Sequence, residues 1–375
     1  MNRITSPFIR AKENPLVTPD MMTPWQKGFK VVCTFNAGVA QYGGEVLLLL
    51  RVAEKPPQAP AGFVNVPEIT EENGHWHVTV RTLSLNDPRY DFSDPRKILD
   101  RERGNYVFLT SISHLRLARS RDGVHFSVED QPFIIPDCAM EAFGTEDARI
   151  TQIDDTYYIN YTAVSHHGIT TALAETKDFV SVRKHGIIFQ TEARDVCIFP
   201  QKIQGKYWAL TRPVPRQIGE AKIWVCASPD MLHWGEFQPL NLPRFSWDGA
   251  RNGGGAVPIL TEKGWLVLYH GADRASNRYS MGAALLAKDD PARVLAVSPE
   301  PVLYAETDYE IRGFYPNVVF SCGALVKNDE VHMYYGAADR VIGLARAKET
   351  DIMSALRYLS IPESITEGIF VSQED

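Results

Sequence analysis

Apolar positions in this chain come in short runs and strict alternations, bounded by turns rich in Gly, Asp and Asn, and almost nowhere at the spacing of an amphipathic helix. One unit recurs: a Gly or Asp turn, an aromatic-rich strand, a strand of small and apolar residues, then an Asp turn. It is visible at Gly43–Arg51 and at Gly104–Thr110 with Leu117–Asp122. It returns at Asp155–Thr162 with Thr171–Asp178, and at Gly205–Leu210 with Trp224–Asp230. The last passes are Gly264–Tyr269 with Met281–Leu286, and Asp329–Tyr335 with Ile342–Ala347.

Six such passes, spaced roughly 50 to 65 residues apart, predict four-stranded antiparallel units repeated around an axis, that is, a β-propeller. If the first and last passes share one blade, closing the ring with strands from both ends, five blades result; six is the rival, and a two-sheet sandwich is the alternative without a ring. The expected fold is therefore all-β, a five-bladed propeller with its site in a central funnel, formed by residues 1–375 as a single catalytic domain. Only Ile352–Tyr358 and Pro95–Arg103 read as briefly helical. The segments Asn14–Pro19, Pro56–Gly62 and Gln238–Trp247 read as irregular rim or cleft loops.

Charge narrows the functional classes. A formal net charge of −7 argues against a general nucleic-acid surface, so any anion site must be a local basic cluster. The five cysteines (Cys33, Cys138, Cys197, Cys226, Cys322) have no CxxC pairing and sit mostly in apolar strands, which fits buried thiols better than a disulfide framework or zinc site. Met1–Pro7 lacks the apolar core of a signal peptide, and no apolar run approaches the ~20 residues of a membrane span. A cytoplasmic protein without nucleic-acid or membrane partners is expected.

In a propeller the innermost strands converge, so polar groups distant in sequence can meet. Asn36, Arg51, Asp147, Arg194, Arg212, His270 and Asp339 all fall at such positions. Each also has a plain reading: Arg51 paired with Glu54, Glu146 and Asp147 capping a turn or paired with Arg149, Arg194 paired with Asp195 at the surface. Asn252–Gly255 reads as a flexible turn or as backbone that lets a ligand approach. His166–His167 reads as a hairpin tip rather than a metal pair, and no metal site is expected. Taken together the groups offer one carboxyl suited to proton donation, Asp147, without an evident second carboxylate to activate water. Around it stand Arg194, Arg212, Arg251 and His270, with Tyr279 nearby, a set that favours a small oxyanion such as phosphate. An inverting glycosidase needs an acid and a base on opposite faces of the sugar; phosphate as nucleophile brings its own charge and removes the need for the base. Trp208, Trp247 and Trp265 are candidates for a sugar-stacking platform or for core.

The stretches Phe35–Val39, Leu50–Val52, Gly144–Arg149, Phe199–Ile203, Leu210–Pro213, Tyr269–Asp273 and Tyr334–Asp339, in this order from about Asn14 to about Ala347, resemble motifs of glycoside hydrolase family 130, the mannoside phosphorylases and related mannosidases. The resemblance implies a five-bladed propeller with Asp147 as the lone catalytic acid, acting in part of the family through a sugar hydroxyl. It implies phosphate at Arg194, Arg212, Arg251, His270 and Tyr279, and mannose at Asn36, Arg51 and Asp339, with Arg149 beside them. No cofactor is implied beyond phosphate as co-substrate, and a homo-oligomer is a possible assembly. The first segment is similar to the branch acting on β-1,2-linked mannosides.

Three positions depart from the family pattern: Ala148 stands for a usual Pro, Thr211 for a frequent His, and Arg251 for a Lys. Glu192, two residues before Arg194, is an unexpected carboxylate. The leading expectation is an inverting phosphorylase releasing α-mannose 1-phosphate from a β-mannoside, β-1,2-linked by resemblance. The alternative is an inverting β-1,2-mannosidase using water with Glu192 or Glu220 as base. A non-catalytic sugar-binding propeller is the third.

Overall fold

A computed structural model describes residues 6–215 and 217–360. In chain order the strands are β1 (Ile9–Arg10), β2 (Lys30–Tyr42), β3 (Glu45–Lys55), β4 (Phe63–Glu72), β5 (His75–Ser84), β6 (Tyr90–Asp91), β7 (Lys97–Asp100), β8 (Tyr106–Leu109), β9 (Ile112–Ser120) and β10 (Ser127–Val128). Then come β11 (Gly144–Ile153), β12 (Thr156–Ser165), β13 (Gly168–Thr176), β14 (Arg183–Phe189), β15 (Ala193–Ile198), β16 (Tyr207–Pro213), β17 (Trp224–Ser228) and β18 (Gly235–Pro239). The chain continues through β19 (Arg251–Gly254), β20 (Ile259–Leu260), β21 (Trp265–Ala272), β22 (Tyr279–Leu286), β23 (Val294–Val297), β24 (Leu303–Tyr304), β25 (Val319–Lys327), β26 (Glu330–Ala337), β27 (Val341–Lys348) and β28 (Arg357–Tyr358). Among the described residues the α-helices are two short ones, α1 (Asp308–Ile311) and α2 (Glu349–Ser354), and none is long and apolar enough to cross a membrane.

The strands assemble as antiparallel meanders: β2-β3-β9-β10, β11-β12-β13-β14, β15-β16-β17-β18, β19-β21-β22-β23 and β25-β26-β27-β1. A single parallel bridge, Gly144 to Ser113, joins the first two. The hairpins follow local chemistry. Gly43 and Gly44 turn β2 into β3 with φ of 58° and 80°, the left-handed pair that a tight two-residue hairpin needs.

Burial explains why the strands carry continuous apolar runs rather than clean alternation. Leu47 to Leu50 of β3 are all fully buried because both faces of the sheet are covered. Even positions such as Leu48 and Leu50 pack with Tyr334, Ile342 and Leu344 of the last meander. Odd positions such as Leu47 and Leu49 pack with Ile150, Ile159 and Tyr161 of the second. The same sharing recurs between the second and third meanders, the third and fourth, and the fourth and fifth. Each such fully buried aliphatic side chain stabilises the fold by about 1.5–3 kcal/mol.

The grouping differs from expectation in its details. The first and second sequence passes share one meander, because β3 pairs directly with β9 across the intervening insertion. The last meander takes its fourth strand from β1, with Ile9 opposite Arg346. Within the insertion, Lys97–Asp100 is a strand rather than a helix, paired with β8. The insertion is anchored by Val66, Leu83, Ile98 and Phe108, which pack on Phe143 and Val164 of the second meander.

Candidate active site

The first strands of four meanders are interrupted at the same place. Pairing slips between Phe35 and Gly38 in β2, between Glu146 and Arg149 in β11, between Arg194 and Cys197 in β15, and between Phe320 and Gly323 in β25. A bulge of this kind bends the strand and re-aims a side chain. Asn36, Asp147 and Asp195 sit in these bulges with φ of 51°, 51° and 54°. Asn and Asp tolerate this left-handed region better than other side chains with a Cβ. All three line one cavity of ≈ 560 Å³.

On one side of the cavity, Arg51 of β3 organises the carboxyls. It stacks on Phe35, with 4.4 Å to the ring centroid. Its Nη2 donates to Glu146 Oε1 at 2.6 Å, its Nη1 to Asp147 Oδ1 at 3.1 Å and its Nε to Ser113 Oγ at 3.2 Å. Asn36 Nδ2 donates to the same Asp147 Oδ1 at 3.0 Å. Asp147 Oδ2 has no hydrogen-bond partner among the described residues, and Asp147 lines the cavity. Burial pushes the Glu146 carboxyl up, against the pull of Arg51.

Asp339 follows β26 in a turn and lines the same side of the cavity. Burial pushes its carboxyl up to about 7, with Arg51 pulling it down and Asp147 pushing it further up. Between the ordinary 3.8 and about 7 the folded protein holds a proton that the unfolded chain releases, so stability falls as pH rises through that window. Asp339→Asn, neutral throughout, is expected to raise the melting temperature of the ligand-free protein above pH 7 and to lose that advantage toward pH 4. Calorimetric melts across this range check it; a gain independent of pH would contradict it.

The other side is cationic. Arg194 and Arg212 are direct cross-strand partners on β15 and β16, an arrangement in which like charges repel. Asp195 takes Arg212, accepting from its Nε and approaching its Nη2, both at 2.7 Å from Oδ2. Arg251 of β19 lies over Tyr279, 5.6 Å from the ring centroid, and its Nη2 donates to Asn277 Oδ1 at 3.2 Å. His270 is fully buried with neither ring nitrogen hydrogen-bonded. Burial pushes its imidazole down to about 3, so it is neutral. In all, Arg51, Arg96, Lys97, Arg194, Arg212 and Arg251 face Glu146, Asp147, Asp195 and Asp339 across the wall, a local cationic excess in an acidic chain.

Asn36, Arg51, Asp147, Arg194, Arg212, Arg251, His270, Tyr279 and Asp339 thus share one cavity. Arg149 and Glu192 are not on its wall. Arg149 is 1% exposed and works beneath the surface: it donates to the carbonyls of Asp147, Gly254 and Gly255 and reaches Asp195 Oδ1 at 3.4 Å. It therefore pins the Asp147 bulge from beneath the cavity wall. Glu220 also lies off the wall, 2.7 Å from Arg244. Trp208, Trp247 and Trp265 belong to the core between the third and fourth meanders, and the cavity's aromatic rings are Phe35, Tyr106, Tyr279, Phe314, Tyr315 and Phe320. Gly253 and Gly254 lie in β19 and not in a turn. A Cβ on Gly253 would fall 2.5 Å from Asp195 Oδ2, and one on Gly254 2.5 Å from Cys197 Sγ, so small residues let β19 lie against β15.

Sequence reasoning missed the insertion's contribution, Arg96, Lys97, Tyr106, Leu109 and Ser111; an insertion between paired strands gives no periodic signal of where it lands. It also missed the inward turn of Asp195, for which an Asp inside a strand run was the available sign. Away from the cavity, Asp137, Cys138 and Glu141 bring three ligand-type atoms within 4.8 Å of one another. The Lys184 ammonium occupies that cluster, donating to Asp137 at 2.7 Å and Glu141 at 2.8 Å.

The all-β scaffold thus sets a carboxylate cluster gripped by Arg51 against a cationic wall, and the comparisons with known proteins place it among carbohydrate-active enzymes. The family model described as beta-1,4-mannooligosaccharide phosphorylase matches residues 104–358. A beta-1,2-mannobiose phosphorylase of Listeria innocua is 46% identical over 349 residues, 92% of this chain and 98% of the relative. A 1,2-beta-oligomannan phosphorylase of Thermoanaerobacter is 39% identical over 319 residues, 82% of this chain and 99% of the relative. The solved complex of the Listeria innocua phosphorylase with beta-1,2-mannobiose superposes with a TM-score of 0.88, at 45% identity, covering 95% of this chain and 99% of that one. The chain belongs to glycoside hydrolase family 130.

Proposed function

We propose that this protein is an inverting phosphorylase that cleaves β-1,2-linked manno-oligosaccharides with inorganic phosphate, giving α-mannose 1-phosphate and the shortened sugar. The observation that carries this reading is the cross-strand pair Arg194 and Arg212, two arginines directly opposite each other on β15 and β16, of which only Arg212 is engaged by the neighbouring carboxylate Asp195. Repulsion of that kind is relieved by an anion, and the guanidinium fork suits phosphate. The five meanders are read as blades of a propeller, each packed on the next, with the cavity as its central funnel and the whole chain as one cytoplasmic catalytic domain.

In the reaction a phosphate oxygen, held by Arg194, Arg212, Arg251, His270 and Tyr279, attacks the anomeric carbon. The glycosidic C–O bond breaks on the opposite face, and its electron pair leaves with the oxygen. That oxygen takes up the proton carried on Asp147 Oδ2, directly or through a sugar hydroxyl. Arg51 and Asn36 fix Asp147 by its other oxygen; with Asp339 they are the groups placed to hold the mannose. Phosphate enters as an anion, so no protein base is required. The water-using reading would require such a base, and its candidates Glu192 and Glu220 are absent from the cavity wall.

Linkage and stereochemistry are testable together. With phosphate present, β-1,2-mannobiose is expected to be consumed well ahead of β-1,4-mannobiose, with α-mannose 1-phosphate as the first product in proton and phosphorus NMR. A β-configured product, or faster turnover of the β-1,4 disaccharide, would contradict the proposal.

A further inference from the structure

We infer that Asp195 is the positioning residue of the anion wall, fixing Arg212 from behind so that its outer edge meets phosphate; this rests on the phosphorolytic reading above. Sequence alone allows Asp195 to be the surface partner of its neighbour Arg194. The structure turns it the other way. Asp195 lies in the β15 bulge with φ of 54° and is 5% exposed. Its Oδ2 takes the inner edge of Arg212, Nε and Nη2 both at 2.7 Å. Arg212 Nη1 has no hydrogen-bond partner among the described residues, and Arg212 lines the cavity.

One carboxylate here does three things. It takes up the inner N–H edge of Arg212, so the outer edge is oriented before any ligand arrives, which lowers the ordering cost of binding. It offsets part of the repulsion between Arg212 and Arg194 without engaging Arg194, which keeps its own guanidinium for a ligand. It also lies 3.4 Å from His270 Nε2 and 3.4 Å from Arg149 Nη2, so the groups behind the anion wall meet at a single side chain. Burial opposes its ionisation, but Arg212 and Arg149 outweigh that and hold the carboxyl well below the usual range. Gly253 is part of the arrangement, since a Cβ there would stand 2.5 Å from both Asp195 Oδ2 and His270 Cε1.

The test separates anion binding from sugar binding on the purified full chain. Inorganic phosphate and β-1,2-mannobiose are titrated separately by calorimetry into wild type, Asp195→Asn, Arg212→Gln and the double variant. Asp195→Asn is expected to weaken phosphate about tenfold or more while mannobiose binding in phosphate-free buffer stays within about twofold. The double variant is expected to bind phosphate no more weakly than Arg212→Gln alone, because Asp195 acts through Arg212. That comparison still decides the matter if Asp195→Asn alone does not fold, since the double variant removes one charge of each sign. Unchanged phosphate binding in Asp195→Asn, equal weakening of phosphate and sugar, or a double variant about tenfold weaker than Arg212→Gln would overturn the inference. Phosphate-independent turnover by wild type would instead overturn the phosphorolytic reading and leave the measured phosphate affinities to judge Asp195.

Discussion

Asp147→Asn is expected to lower kcat about 10²–10⁴-fold, the range of a positioned general acid, with little change in the melting temperature. The asparagine oxygen can keep the bonds that Asn36 and Arg51 make to Oδ1, at 3.0 Å and 3.1 Å. The left-handed backbone at this position suits Asn as well as Asp. What is lost is the proton on the other oxygen. Because the same group serves cleavage and its reversal, synthesis from mannose 1-phosphate should fall by the same factor. Steady-state rates in both directions check this, and a loss below about tenfold would remove Asp147 from the acid's role.

The second large effect is on stability as well as on rate. Arg51→Met keeps an unbranched apolar stem beside Phe35 but removes the guanidinium that stacks on that ring and pairs with Glu146 and Asp147. Removing one partner from a largely buried ion pair costs about 3–5 kcal/mol. The penalty belongs to the ionised carboxyls, so it should be largest above neutral pH and shrink as pH falls and Glu146, already raised by burial, takes up a proton. Urea unfolding at pH 8 and at pH 5 would measure it. A loss under about 1 kcal/mol at pH 8, as for an exposed pair, would contradict the central place given to Arg51.

Much of this site was legible because its residues break the strand pattern around them. Arg51 inside an apolar run, Asp147 beside Glu146, and Arg194 and Arg212 at strand positions are costly choices without a ligand, and all four line the cavity. Arg149 was misread because charge in a motif says nothing about which face of a bulged strand it takes: the slip between Glu146 and Arg149 aims one at the cavity and the other into the core. The tryptophans were ambiguous for a similar reason. Trp208, Trp247 and Trp265 donate their indole N–H groups to the carbonyls of Ile203, Pro299 and Lys288, which lets large aromatic rings stay in the core.

For the fold, alternation and turn residues were enough to find the strands and their repeat. Which passes share a sheet was not local information. It depends on β3 pairing with β9 across an insertion, and on β1 crossing most of the chain to reach β27. The insertion itself packs through Ile98 and Phe108 and so delivers Arg96 and Tyr106 to the cavity, a tertiary outcome that sequence periodicity does not encode.

The most direct test of the account is product analysis of β-1,2-mannobiose incubated with the purified protein, with and without inorganic phosphate. The cationic wall predicts mannose 1-phosphate and mannose in equal amounts with phosphate, and negligible cleavage without it. Free mannose released at the same rate in both buffers would contradict it, and would mean that Arg194, Arg212 and Arg251 serve something other than the attacking phosphate.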